Sequence, residues 1–347
     1  MGRQKFNSFL KTYDKDLLYQ AIEHYQEALR FSDNPQIAYE LGAMFSSDGD
    51  LAKYHASLEL AYQITKDQKF IIELLGSCLQ DNDVNLDNII LKYEMIINNI
   101  NPNNIKEPVL LISLAKYYMY LSHRYFIKNG LDIYFVEKAK TVLQDALRII
   151  TNKEVLSQAR YNQRAEIKSS LGLCLLWQAN YNLSIDYLIQ SKIDFEYAEK
   201  NQSEQLEKIF AYYSNNLLIS YSNLALAYLR QRDWNHSLQA ISEYESILSS
   251  LTEEKKAYLN KIKAIHIDDI YYFKGRSLHG IKKYEDAIKN YTLAINDNKG
   301  NSGYLYFYRG ISLLGLNKSN QACSDFNEAC KNGFVEGCDR IKSSCKN

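Results

Sequence analysis

Six cysteines and six histidines are the side chains in this 347-residue sequence that could bind metal, form bridges or act as nucleophiles and bases. Four of the cysteines fall together near the C-terminus: Cys323, Cys330, Cys338 and Cys345. Cys323 and Cys330 are seven apart, hence on one face of a helix, and Cys338 and Cys345 repeat that spacing on the next. If the chain turns over near Phe334, the pairs 330/338 and 323/345 share a midpoint, and antiparallel helices bring them into register two by two. A single tetrahedral zinc site does not fit, because cysteines two turns apart on a helix stand about 10 Å from each other. Two readings therefore stand side by side: two disulfide rungs, or four reduced thiols packed between two helices. Rungs belong in an oxidising compartment. Cys78 and Cys174 each follow a glycine by two positions on the packed side of a helix, where a buried thiol behaves as a small hydrophobe.

The histidines are scattered at 24, 55, 123, 236, 266 and 279. His266 with Asp268 and Asp269 is the cluster worth weighing as a metal site or acid/base pair, but residues two and three apart on a helix do not converge on one ion. The sequence contains no Gly-x-Ser-x-Gly elbow, no phosphate loop, no dinucleotide glycine fingerprint and no His-Glu-x-x-His. No catalytic residue, metal site or cofactor is expected, and an enzyme is not the expected reading.

Lys+Arg and Asp+Glu both total 41, so no net field draws nucleic acid or an anionic membrane. The longest apolar stretch, Val109 to Leu121, is about a dozen residues and includes Lys116, too short to span a bilayer. The first residues lead into polar helix and Phe6 stands where a myristoylation motif needs Ser or Thr, so no export or lipid signal is read. The expectation is a cytoplasmic protein, or a periplasmic or secreted one if the terminal cysteines are bridged. Only three prolines interrupt the chain, and tyrosine, at 29, is far above ordinary usage.

The elements that must position these residues announce themselves by repetition. Tyr271-Tyr272-Phe273-Lys274-Gly275 is followed by Tyr284, Ala287, Tyr291 and Ala294; Tyr306-Phe307-Tyr308-Arg309-Gly310, thirty-five residues on, is followed by Ala322, Phe326 and Ala329. Self-similarity at this period marks a helix-turn-helix array whose units bury their apolar faces against neighbours. Weaker copies run back along the chain: Leu41-Gly42 and Phe45 with Leu58 and Ala61, then Leu75-Gly76 with Tyr93 and Ile96. The run Asp81 to Asn88 reads as the turn within that second copy. Next come Leu114-Ala115 and Tyr118 with Ala139, Leu143 and Ala146, and Leu171-Gly172 and Leu175 with Tyr181, Ser184, Leu188 and Ser191. Leu224-Ala225 and Tyr228 pair with Trp234, Ser237, Ile241 and Tyr244. The longer spacing here, with charged runs Glu196 to Lys208 and Glu253 to Lys263, reads as extended helices.

This pattern of small residues in a first helix answering large ones in a second resembles the tetratricopeptide repeat family. The resemblance implies an all-α fold: a right-handed superhelical solenoid of about eight helix-turn-helix units plus a C-terminal capping helix. Its expected division is a degenerate capping unit over 1–33 (Ala21, Tyr25 and Ala28 in its second helix), two regular units over 35–100, three extended units over 108–250, two regular units over 268–331, and a capping helix over 334–347. A non-repeating helical bundle is the alternative. Ala322-Cys323 through Gly337-Cys338 is also similar to the signature of cysteine-rich bacterial helical repeats, which staple neighbouring helices, and with the AT-rich character of the composition this suggests a bacterial source.

In the family, first helices line a concave groove, with positions three before and one and four after the small residue pointing into it. Carried over, the pattern implies Ser169, Leu173 and Leu176; Ser222, Leu226 and Leu229; Tyr272, Arg276 and His279; and Phe307, Ile311 and Leu314, with Trp177 and Arg230 at the rim. The surface so implied is aliphatic and aromatic with a few cations, which suits a peptide bearing apolar anchors and one acid. It lacks the family's regularly placed Lys and Asn clamp for chaperone C-termini. The expected function is a non-catalytic scaffold or adaptor for a peptide or protein partner, with a peptide-sensing regulator that closes on its ligand as the alternative, and intramolecular filling of the groove by its own second helices as the bland one.

Overall fold

The computed structural model describes the chain apart from residues 13, 80–85, 130–131, 152–157, 201–206, 254–255, 257–258, 260–266, 298–302 and 346–347, and gives backbone alone at 86–87, 94, 98, 123–129, 158–159, 199–200, 207–216 and 267–268. Among the described residues every regular element is a helix. They group into two compact units, Met1–Glu154 and Val155–Asn347.

The first unit holds α1 (Gly2–Thr12), α2 (Lys15–Leu29), α3 (Pro35–Asp48), α4 (Leu51–Thr65), α5 (Gln68–Cys78), α6 (Leu86–Asn98), a short 3-10 turn at Pro102–Asn104, α7 (Pro108–Asn129) and α8 (Ile133–Thr151). The second holds α9 (Gln158–Trp177), α10 (Tyr181–Lys200), α11 (Glu207–Gln231), α12 (Trp234–Ser250), α13 (Ile267–Gly280), α14 (Tyr284–Asp297), α15 (Gly303–Gly315), α16 (Ser319–Lys331) and α17 (Val335–Ser344). Consecutive helices pack as pairs, and α17 lies on α16.

Local chemistry sets the boundaries. Asp14, Asn34, Asp50, Asp67 and Asp233 each turn a side-chain oxygen onto a backbone N–H of the helix that follows, and Pro35 occupies the first turn of α3. The turn between paired helices recurs in one form. Gly49, Ala179, Arg232, Lys282 and Asn317 take φ of 87°, 58°, 62°, 63° and 58°. The N–H just after each closes on the carbonyl five residues back: Asp50 on Phe45, Asn180 on Leu175, Asp233 on Tyr228 and Lys283 on Leu278 at 2.9 Å, and Lys318 on Leu313 at 3.0 Å. This is the six-to-one closure that ends a helix through a left-handed residue.

The small residues of the first helices are small because a large side chain of the partner sits on them. A Cβ on Gly275 would stand 2.7 Å from the Tyr291 ring, one on Gly310 2.7 Å from Phe326, and one on Gly172 2.6 Å from Leu188. A second device ties the same helices: Ser184 Oγ donates to the Gly172 carbonyl at 2.7 Å and Ser237 Oγ to that of Ala225 at 2.9 Å. These serines, with Ala139, Ala146, Ala294, Ala322 and Ala329, have no exposed surface.

Three details differ from the sequence expectation. Gly2 supplies the missing small residue of the first pair, against Tyr25, whose ring would lie 2.8 Å from an added Cβ. Gly76 packs against Ser113 of α7 rather than against α6, where Tyr93 and Ile97, not Ile96, are the buried residues. The expected turn at Asp81 to Asn88 is shorter at its end, since α6 begins at Leu86; its residues 81–85 lie outside the described residues. So do residues 201–206 of the expected extension 196–208 and most of 253–263, while α10 runs to Lys200 and α11 starts at Glu207.

Candidate functional site

Within the second unit, the first helices of successive pairs stand side by side, α11 against α13 and α13 against α15. Tyr272, Arg276 and His279 succeed one another down α13 at spacings that keep them on one face. Arg276 is gripped by tyrosines. Its Nη1 donates to Tyr272 Oη at 2.9 Å, and its guanidinium carbon lies 4.0 Å from the centre of the Tyr308 ring. The Tyr272 ring meets Tyr304 edge-on at 5.1 Å and leans on Tyr308 at 5.7 Å and Tyr291 at 6.5 Å. Burial pushes the Tyr272 phenol above its ordinary range, with Arg276 opposing, and pushes Tyr291 well above it. Burial, the largest influence, opposes the charge on Arg276, the tyrosines around it favour it, and the guanidinium keeps its proton.

His279 binds across to α15, its Nδ1 lying 2.9 Å from Ser312 Oγ. That hydroxyl donates to the Tyr308 carbonyl at 3.1 Å, which leaves it an acceptor and places the imidazole proton on Nδ1. Burial first, and Arg276 second, hold His279 below its ordinary value of 6.5. It is a neutral structural contact.

A cavity of about 150 Å³ opens between α11 and α13, lined by Leu226, Leu229, Arg230, Arg232, Trp234, Tyr272 and Arg276. It shares Arg230, Arg232 and Trp234 with a wider, open hollow of about 770 Å³ that also touches Tyr181 and Asp233. Asp233 is occupied: it caps α12 through His236 N at 3.2 Å and meets His236 Nδ1 at 2.7 Å. Of the groove residues read from the sequence, the structure gathers Leu226, Leu229, Arg230, Tyr272 and Arg276 here. Trp177, half-buried at the end of α9, does not line this cavity. Phe307 and Ile311 serve the last pair instead: Phe307 stacks near Phe326 at 5.9 Å and Phe334 at 5.2 Å, and Ile311 packs with Leu313, Ala322 and Phe326. Arg232, Trp234, Tyr304 and Tyr308 were not singled out for the site by the sequence. The place of Trp234, four residues after Arg230 at the start of α12, was the signal that could have found it.

At the C-terminus the structure holds the bridged arrangement. Cys323 is bonded to Cys345 and Cys330 to Cys338, with Cα separations of 5.7 and 4.8 Å. Close approach of α17 depends on Gly337, where an added Cβ would stand 2.7 Å from that of Ala329. Cys78 and Cys174 are buried and outside the bridges. Among the described residues no His, Cys, Asp and Glu side chains gather as a metal site and no helix is long and apolar enough to cross a membrane. Of the His266 cluster, His266 lies outside the described residues, Asp268 is described by its backbone alone, and Asp269 stands in the first turn of α13.

The pairing, the small-on-large packing and the recurring turn make up the helix-turn-helix repeat that the sequence pattern implied. No family model matches the chain, and no curated protein does. Among solved structures it resembles a tetratricopeptide repeat protein from Parabacteroides merdae, at 14% identity over 90% of this chain and 99% of that one, with a TM-score of 0.35. It also resembles human IFIT1, solved as a dimer with PPP-AAAA, at 15% identity over 90% and 68% of the two chains with a TM-score of 0.45. Yeast Tom70 is similar at 12% identity over 99% and 94%, with a TM-score of 0.32.

Proposed function

We propose that this chain is a non-catalytic interaction protein whose second unit binds a peptide or protein partner on the face made by α11 and α13. The observation that supports this reading most is the cavity beside Arg276: apolar walls from Leu226, Leu229 and Trp234, with a few polar groups set among them. Recognition surfaces are built in this way, a desolvated anchor pocket supplying affinity and the polar groups supplying orientation. Its histidine neighbour His279 is engaged by Ser312. The two bridges favour an oxidising compartment, periplasmic or secreted, over the cytoplasmic one.

Affinity purification tests the reading. Arg230 is exposed and Leu226 half-buried, so Arg230→Glu combined with Leu226→Gln alters the face with little cost to the fold. Proteins retained by the native chain and lost by this variant, with circular dichroism unchanged, support the assignment. Identical retention by both removes the face from consideration.

A further inference from the structure

We infer that the cavity between α11 and α13 is a subsite for a carboxylate: it takes an aspartate or glutamate side chain of a bound peptide on the guanidinium of Arg276, with the neighbouring apolar residue of that peptide against Leu226, Leu229 and Trp234. The inference rests on the proposed binding face and names the chemistry of its central contact.

Two of the other half-buried arginines are matched by acids, while Arg160 keeps a buried Nη1 without a hydrogen-bond partner among the described residues. Arg309 meets Asp325 through Nε at 2.8 Å and Nη2 at 2.7 Å, and Arg164 pairs with Asp194. Arg276 has no such partner among the described residues. One nitrogen is satisfied by the Tyr272 hydroxyl and one face by the Tyr308 ring, neither of them a carboxylate. Taking a cation partly out of water without an anion is costly, so a carboxylate brought to Arg276 from outside meets a charge that no acid of the described residues neutralises. Arg276 lines the cavity, and Nε and Nη2 have no hydrogen-bond partner among the described residues.

The field around it has the same sign. Arg230 and Arg232 line the cavity too, although net charge over the whole chain is zero. Arg232 is brought there by its left-handed backbone, φ 62°, in the turn between α11 and α12. The nearby acid, Asp233, is engaged by the cap of α12 and by His236. A carboxylate fits better than a phosphate. Arg276 offers one planar edge, which matches two coplanar oxygens, whereas the other two arginines are exposed and their charge is screened by salt. At about 150 Å³ the space suits a side chain and not a folded domain.

The probe is an array of dodecapeptides, each carrying a central glutamate next to leucine, with matched members in which glutamine or phosphoserine replaces the glutamate; members that bind are titrated in solution by fluorescence anisotropy. Glutamate members are expected to bind roughly tenfold to a hundredfold more tightly than their glutamine partners, as a charged hydrogen-bonded pair is worth. Arg276→Gln is expected to abolish that difference, and Arg276→Lys, which keeps charge but loses the fork, to retain only part of it. Should Arg276→Gln fail to fold, the lysine variant alone decides. Equal binding of glutamate and glutamine members, a preference that survives loss of Arg276, or phosphoserine favoured tenfold over glutamate each overturns the subsite while leaving the face. If no member binds, both the subsite and the face fall.

Discussion

Reducing the two disulfides should loosen the last helix and little else. The bridges close loops with sequence separations of 22 and 8 residues. On the chain-entropy relation the longer contributes about 3.4 kcal/mol and the shorter about 2.5 kcal/mol at 25 °C. The shorter loop lies inside the longer, so closing it first shrinks the other, and the two together contribute about 5.5 kcal/mol. In a repeat array each unit feels only its neighbours, so the loss should stay in α16 and α17. Without bridges, α17 is held by Gly337 against Ala329 and by Phe334 against Phe307, a small apolar contact. Hydrogen exchange followed by mass spectrometry reads this directly. Replacing Cys330 and Cys338 by serine should raise exchange across 335–344 by roughly fiftyfold to a hundredfold, and full reduction by more, while α9 to α12 stay protected. Unchanged protection of α17 on reduction would refute the reasoning, as would labelling of all six cysteines in protein extracted under alkylating conditions.

Two other outcomes follow from the same structure. Ala179 holds φ at 58° in an exposed turn, a conformation that costs a non-glycine residue about 1 kcal/mol, so Ala179→Gly should stabilise the chain by about that amount in chemical denaturation; destabilisation would contradict the turn. His279 is held below 6.5 when folded, so between its folded and unfolded values the unfolded chain binds more protons. Its contribution is complete above pH 6.5 and is lost as pH falls through that window. Melting temperature should therefore decline less steeply on acidification in His279→Gln than in the native chain, and parallel profiles would rule the effect out.

Much of the fold could be read before the structure because its packing rule is local. Gly275 and Gly310 lie a fixed distance ahead of Tyr291 and Phe326, and a glycine facing a ring within one helix pair leaves a fixed spacing in the chain. Gly76 misled because its small face is used between successive helix pairs, against Ser113, which no spacing within a pair encodes. The site was half legible for a similar reason. Tyr272 and Arg276 share a helix face by arithmetic, and Leu226 and Arg230 follow from register. Arg232 reaches the cavity only because its backbone is left-handed, a feature of the turn that Arg232 as a residue type does not advertise. Phe307 has the register of an outward residue, yet Phe334 from the connection to α17 covers it. The terminal cysteines could be set in register from the chain, but whether they were bonded depended on how closely Gly337 lets the helices approach.

Photocrosslinking tests the binding face most directly. A benzoylphenylalanine placed at Leu226, on the face, is compared with one at Ile193, which is 55% exposed on the second helix α10. The account predicts that a partner retained by the chain crosslinks from position 226 and not from 193, and that Arg230→Glu abolishes the product. Crosslinking from 193 alone would place the partner on the second helices and contradict it.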